Sequence, residues 1–142
     1  MKDSKSNDNV KNEKTTYQFN HSLLLISLIA MAIISTTYFW MDEREDFFEF
    51  FWLVVLTIWY AWAITSLLFV FLKRKIGYLL AGIIAWTTVG FWMFDNFHVV
   101  FDISIIASKP DLIITLKNFI GVVIAGLAIF ASHNLFHKSR FQ

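Results

Sequence analysis

The chain has 142 residues and a formal net charge of +1; 57% of its residues are hydrophobic and 18% are aromatic. Soluble domains average about 45–50% apolar residues on a comparable count, so this composition argues against an ordinary soluble fold. The chain contains no cysteine, which excludes disulfides, thiolate metal sites and cysteine nucleophiles.

The hydrophobic residues are concentrated in four blocks. Three blocks carry no charge, namely 22–40, 50–72 and 76–94, and the fourth, 112–131, contains only Lys117. About 20 apolar residues in a helix cross the roughly 30 Å hydrocarbon layer of a membrane. We therefore predict an all-α membrane protein, a four-transmembrane-helix bundle forming a single domain at residues 21–142, with spans at about 22–40, 48–72, 76–94 and 112–134.

The charged residues between the blocks predict how the chain crosses the membrane. Residues 1–20 are polar, and we expect them to form a flexible segment. Lysines and arginines outnumber carboxylates there, in the loop at 73–75 and in the C-terminal tail, whereas carboxylates dominate 42–49 and 95–111. Basic loops remain in the cytoplasm, so we predict that both termini are cytoplasmic (N-in/C-in), in a bacterial inner membrane. Because topology alone accounts for the basic residues, we predict no nucleic-acid partner.

Residues 95–111 form the one long connection. Apolar and polar residues alternate from Phe97 to Ile105, a pattern that fits a strand or a helix equally well. The segment is too apolar for a free loop, so we predict a short amphipathic element on the outer membrane surface, ended by Pro110. Aromatic residues at the span ends, such as Trp40 and Trp92, are typical of the membrane interface.

The fourth span has one side made of small residues. At about 100° per residue, this side carries Lys117 together with Gly121, Ala125, Ala128 and Ser132. Bulky apolar residues occupy the opposite side. Helices in lipid associate closely through small residues, so we predict that the small side contacts other helices and the bulky side faces lipid.

Lys117 is the one charge inside the fourth span. It lies about seven residues, roughly 10 Å, from the centre of the helix, so its side chain can reach the outer boundary of the membrane. Asp95, at the end of the third span, and Glu49, at the start of the second, lie at a similar depth. We predict an outer-leaflet ion pair of Lys117 with Asp95 or Glu49, in preference to an ion path.

Aromatic residues also occur near the middle of the second and third spans, at Trp59, Tyr60, Trp62 and Trp86. Tryptophan favours the interface, where its N–H can be hydrogen-bonded. A mid-membrane aromatic cluster therefore indicates packing inside the bundle or against a partner, or a cavity for an apolar ligand. Packing is the commoner role for an aromatic stripe at helical spacing.

The histidines lie away from the middle of the spans. His133 and His137 share a helix face and His21 lies at the same depth, but no carboxylate or thiolate stands beside them to complete a zinc or copper site. A bis-histidine haem needs ligands that face each other inside the bundle. We therefore predict no metal site and no cofactor.

No carboxylate lies deep in a span, and no nucleophile–base pair or phosphate loop is recognisable, so we predict that the protein is not an enzyme. The leading hypothesis is a non-catalytic subunit or assembly component of a membrane complex, in contact with the lipid bilayer and with copies of itself or other membrane subunits. Two alternatives remain open. One is a homo-oligomeric channel or transporter for ions or small solutes, lined by the small side of the fourth span. The other is a module that binds an apolar ligand or a quinone.

Overall fold

The protein consists of four long helices. The computed structural model describes the backbone of residues 3–41, 46–101 and 112–138, and within these the side chains of 12, 14–36, 50, 53–93 and 116–138. The described residues contain no strand, and their helices are α1 (Asp3–Met41), α2 (Asp46–Phe71), α3 (Lys75–Phe101) and α4 (Leu112–Lys138). Each contains a stretch long and apolar enough to cross a membrane. The predicted all-helical, four-span architecture is confirmed.

Two helices extend beyond the spans expected from the sequence. α1 begins at Asp3 and continues without a break through the polar segment into the apolar one. Adding residues to an existing helix costs far less than starting a new one. α3 continues to Phe101, so the first part of the predicted outer connection belongs to this helix. Residues 102–111 lie outside the described part, and the amphipathic surface element, like the flexibility of residues 1–20, stays a prediction.

The helices run alternately up and down. α4 packs against α3 and α1, α2 packs against α3, and α1 touches α2 only lightly. His21 of α1 contacts the carbonyl of Val70, near the end of α2, and Ser132, near the end of α4, contacts Tyr78, near the start of α3. The α2–α3 turn and the end of α4 therefore lie at one end of the bundle, which we call the basic end after its residues Lys73, Arg74, Lys75 and Lys138. Which side of a membrane this end faces stays a prediction.

The turn between α2 and α3 is closed by a helix-capping motif. The N–H groups of Lys73 and Arg74 donate to the carbonyls of Val70 and Phe69. This pair of bonds is the Schellman arrangement, which requires a left-handed residue after the helix. Lys73 supplies it, with φ of 53°. The turn is so tight that a side chain on Gly77 would overlap the backbone of Phe69 and Val70, so the two helices begin in close contact.

Burial follows the expectation for a membrane bundle. Large apolar side chains are exposed along all four helices, including Ile33, Ile58 and Phe130. Threonine hydroxyls on the outside donate to carbonyls one turn earlier in their own helix, as at Thr57 and Thr65. A hydroxyl bonded in this way places no unpaired donor in lipid. The outer surface is therefore mostly apolar, and the hydrogen-bonding capacity of these threonine hydroxyls is used within their own helices.

Candidate functional site

The small side of α4 lies inside the bundle. The side chains of Ala125 and Ala128 are fully buried, and Gly121 and Ser132 are buried with them. The Ser132 hydroxyl donates to the carbonyl of Tyr78 in α3 over 2.6 Å. The four residues that the sequence assigned to a helix-packing side are thus brought together where α4 meets its neighbours.

Gly121 packs directly against a buried tryptophan. Trp92 of α3 is only 5% exposed, and a Cβ on Gly121 would overlap the six-membered part of its indole ring. The sequence suggested a place for Trp92 in the interfacial belt, but the structure packs it between helices. The burial of Trp92 depends on its contact with Gly121 of α4, and no pattern in the sequence links these two residues.

The predicted mid-membrane aromatic residues do not share one cavity. The Trp59 indole N–H donates to the Thr88 hydroxyl over 2.9 Å, and that hydroxyl donates to the carbonyl of Ile84. The Tyr60 hydroxyl reaches the opposite neighbour, lying 2.7 Å from Thr36 Oγ1 on α1. Trp59 and Tyr60 thus tie α2 to α3 and to α1, respectively.

Trp62 and Trp86 differ from that pair. The Trp62 indole N–H is buried and has no hydrogen-bond partner in the described part of the chain, as is the case for the Ser66 hydroxyl one turn away. An unpaired buried donor costs about 1–3 kcal/mol. Trp86 is 63% exposed and lies on the outer surface of α3. It therefore does not line the interior of the bundle.

A polar cluster that the sequence reading did not identify joins three helices near the basic end. The Tyr17 and Tyr78 hydroxyl oxygens are 2.7 Å apart, and the His21 ring contacts both tyrosine rings, stacked on Tyr17 and edge-on to Tyr78. Nε2 of His21 is 3.0 Å from the Val70 carbonyl oxygen and donates to it. His21 therefore caps the C-terminal end of α2 from α1, a use of the imidazole that needs no metal.

The three candidate metal ligands are not assembled into one site. His133 and His137 form an exposed edge-to-face pair with ring centroids 4.4 Å apart. His21 is hydrogen-bonded to the Val70 carbonyl of α2. Within the described side chains, no group of three His, Cys, Asp or Glu residues is placed to hold a metal ion.

Lys117 lies half-buried next to Asn118, whose side chain is completely buried. The side chains of its two proposed partners, Asp95 and Glu49, are outside the described residues. The ion pair therefore stays a prediction. Asn118 is a buried polar residue inside a span, and an amide in an apolar run is a signal of helix contact.

The outer surface of α3 and α4 carries three residues that the fold of a single chain does not explain. Trp86 is exposed near the middle of α3, and Gly90 follows one turn later on the same face. On α4, Gly126 is exposed as well. A Cβ on Gly90 or Gly126 would have no neighbouring atom within 4 Å, so neither glycine is required by packing within the chain. We call Trp86, Gly90 and Gly126 the outer tryptophan–glycine surface.

No family model, no curated protein and no solved structure matches the chain.

Proposed function

We propose that this protein is a non-catalytic subunit of a membrane assembly that docks on another transmembrane helix through the outer tryptophan–glycine surface. Two observations carry the proposal: the open space over Gly126 on α4 and the exposure of the mid-span Trp86 on α3. Glycine inside a helix costs about 1 kcal/mol relative to alanine. Lipid chains do not require it, whereas a closely approaching helix does.

The positions of Trp86 and Gly126 support a shared docking surface. Along the α3–α4 pair, Gly82 meets Ser132 and Trp92 meets Gly121. Trp86 and Gly126 each fall between these two contacts, so they lie at nearly the same depth. Trp86 is one turn from Gly82 and therefore on the side of α3 that is turned toward α4.

Gly126 lies on the corresponding side of α4. It is within one turn of Val122 and Ile129, which are half-buried. Those two continue at seven-residue spacing to Phe136, whose ring lies under Lys75 of α3. The indole and the glycine thus flank the outer seam of the same helix pair.

This arrangement fits a second copy of the chain. A two-fold axis along the membrane normal keeps each residue at its own depth, so Trp86 of each copy can reach Gly126 of the other. The buried contact of Trp92 with Gly121 is the same pairing inside one chain. In such a dimer the partner helix, and not lipid hydrocarbon, would surround the exposed Trp86 indole and its N–H.

The two alternatives have less support. The small side of α4, which would line a shared channel, is packed against neighbouring helices and holds Trp92. The aromatic residues considered for a ligand or quinone cavity point in different directions: Trp59 to α3, Tyr60 to α1 and Trp86 to the outside. Packing therefore accounts for most of these residues, and docking accounts for Trp86.

Mass measurement after extraction in a mild detergent tests the proposal. We expect the wild-type chain to run in an assembly larger than one chain, and Gly126→Leu and Trp86→Ala each to reduce that mass to a single copy. Ile58→Ala, at an equally exposed site on α2, is the matched control and should leave the assembly intact. A single-chain mass for the wild type, or ion flux in liposomes from the purified chain alone, would refute the proposed subunit role.

A further inference from the structure

A separate cluster of cationic and imidazole side chains lies where α3 begins and α4 ends. The Lys75 ammonium is 4.9 Å from the centroid of the Phe136 ring. The same ring meets His137 edge-on at 6.3 Å, and His137 meets His133 at 4.4 Å. Phe136 therefore contacts both Lys75 and His137, and His137 in turn contacts His133. Lys75, Phe136, His137 and His133 together form what we call the α3–α4 headgroup cluster.

No carboxylate accompanies the cluster on the parts of α3 and α4 whose side chains are described. Residues 53–93 and 116–138 contain no Asp or Glu, and the first turn of α3 has none. Lys75 carries an ammonium group with three N–H donors, and each imidazole offers a ring N–H. Such groups bind phosphate oxygens through charge-assisted hydrogen bonds. The described side chains of α3 and α4 supply no counter-charge, so the cluster is suited to an added anion.

The position of the cluster selects the kind of anion. The apolar stretches of α3 and α4 begin at Lys75 and end at Lys138, which places the cluster at the membrane boundary. Exposed apolar side chains continue from it toward the membrane interior, at Leu79 and Ile83 on α3 and at Phe130 on α4. A molecule that carries a phosphate at one end and an acyl chain at the other matches both parts of this surface.

We propose that the α3–α4 headgroup cluster binds the phosphate of an anionic phospholipid, whose acyl chains lie along Leu79, Ile83 and Phe130. A zwitterionic lipid carries its own cation and leaves the charge of the cluster uncompensated, so a net negative headgroup is preferred. The site shares no residue with the docking surface proposed above, although Ile83 and Phe130 lie within one turn of Trp86 and Gly126 on the same faces of α3 and α4.

The chain offers a matched control for this site. Lys73 and Lys75 are exposed cations two residues apart, but only Lys75 lies over Phe136. General attraction between a basic protein end and an anionic membrane responds equally to the loss of either charge. A bound headgroup at the α3–α4 seam responds to Lys75 alone.

Native mass spectrometry of the purified full-length chain, titrated with phosphatidylglycerol or phosphatidylcholine, tests the site. We expect bound phosphatidylglycerol in preference to phosphatidylcholine. Lys75→Gln should weaken its binding about fivefold, the equivalent of about 1 kcal/mol for one basic group at a membrane surface. His137→Gln, at an exposed position, should weaken binding in the same direction, and Lys73→Gln should leave it unchanged.

Three results would overturn the site. One is equal weakening by Lys75→Gln and Lys73→Gln, which indicates general electrostatics. Another is the absence of any preference for phosphatidylglycerol over phosphatidylcholine. The third is competition by millimolar inorganic phosphate that removes all bound lipid, which assigns the cluster to a free anion. None of these outcomes depends on the oligomeric state, so they are distinguishable from failure of the proposed subunit role.

Discussion

The inner and outer sides of α4 each carry a glycine, and the two glycines have opposite relations to the rest of the chain. Gly121 is buried under Trp92, and any side chain there would overlap the indole ring. Gly126, five residues later, is exposed with empty space above it. The first glycine is fully explained by one folded chain. The second is not, which is why we assign the outer side to a partner.

The two tryptophans of α3, Trp92 and Trp86, differ in the same way as the two glycines. Trp92 is buried between α3 and α4, whereas Trp86 projects outward from the middle of the same helix. A side chain that packs within the chain contributes to the stability of the isolated bundle. One that packs against a partner contributes only to the assembly. Paired substitutions on the two sides should separate these contributions.

The largest expected difference is between Trp92→Ala and Trp86→Ala. Truncation of a buried aromatic residue typically costs 3–5 kcal/mol, so Trp92→Ala should lower the free energy of unfolding by about that amount. In a detergent that keeps the chain monomeric, Trp86→Ala should change it by no more than about 0.5 kcal/mol. Unfolding in sodium dodecyl sulfate, followed by circular dichroism, measures both values. Equal losses would contradict the division into two sides.

A smaller difference is expected between the two glycines. Gly121→Ala must displace the Trp92 ring, and overpacking of this kind typically costs about 1–3 kcal/mol. Gly126→Ala meets no atom and replaces glycine within a helix, which should stabilise the monomer by up to about 1 kcal/mol. The same unfolding experiment applies. A destabilising Gly126→Ala in the monomer would show that the space above this glycine is filled by the chain itself.

The smallest difference concerns two tryptophans of α2. Trp59→Phe removes the hydrogen bond to Thr88 and should cost about 0.5–1.5 kcal/mol. Trp62→Phe removes a buried N–H that has no hydrogen-bond partner in the described part of the chain, so it should be neutral or stabilising. Both substitutions remove similar volume, which makes each the control for the other. A cost for Trp62→Phe as large as that for Trp59→Phe would indicate that the Trp62 N–H has a partner.

The sequence was sufficient for the architecture because the membrane imposes strong constraints. A run of about 20 apolar residues can satisfy its backbone in lipid only as a helix or in a closed barrel, and the runs here do not alternate as barrel strands do. The side of α4 that carries Gly121 follows from helix geometry alone. The orientation across the membrane, which also came from the sequence, stays a prediction.

Contacts between helices could not be read in the same way. Whether a mid-span tryptophan points inward or outward depends on the rotation of its helix about its own axis. For this reason Trp59 and Trp86 were equivalent in the sequence but differ in the structure. The Trp59 indole of α2 is hydrogen-bonded to Thr88 of α3, whereas Trp86 is exposed on the outer surface of α3. The contacts of Tyr17 with Tyr78 and of His21 with Val70 join residues far apart in the chain. No local pattern encodes such pairs.

The central claim is that the outer side of α3 and α4 packs against another helix. The most direct test is photo-crosslinking in native membranes with p-benzoylphenylalanine in place of Trp86, because this side chain has a similar size and reacts with the nearest C–H bonds. We predict a crosslink to α4 of a second copy near Gly126, identified by mass spectrometry, and none from the same probe in place of Ile58. Reaction of the Trp86 probe with lipid alone would contradict the claim.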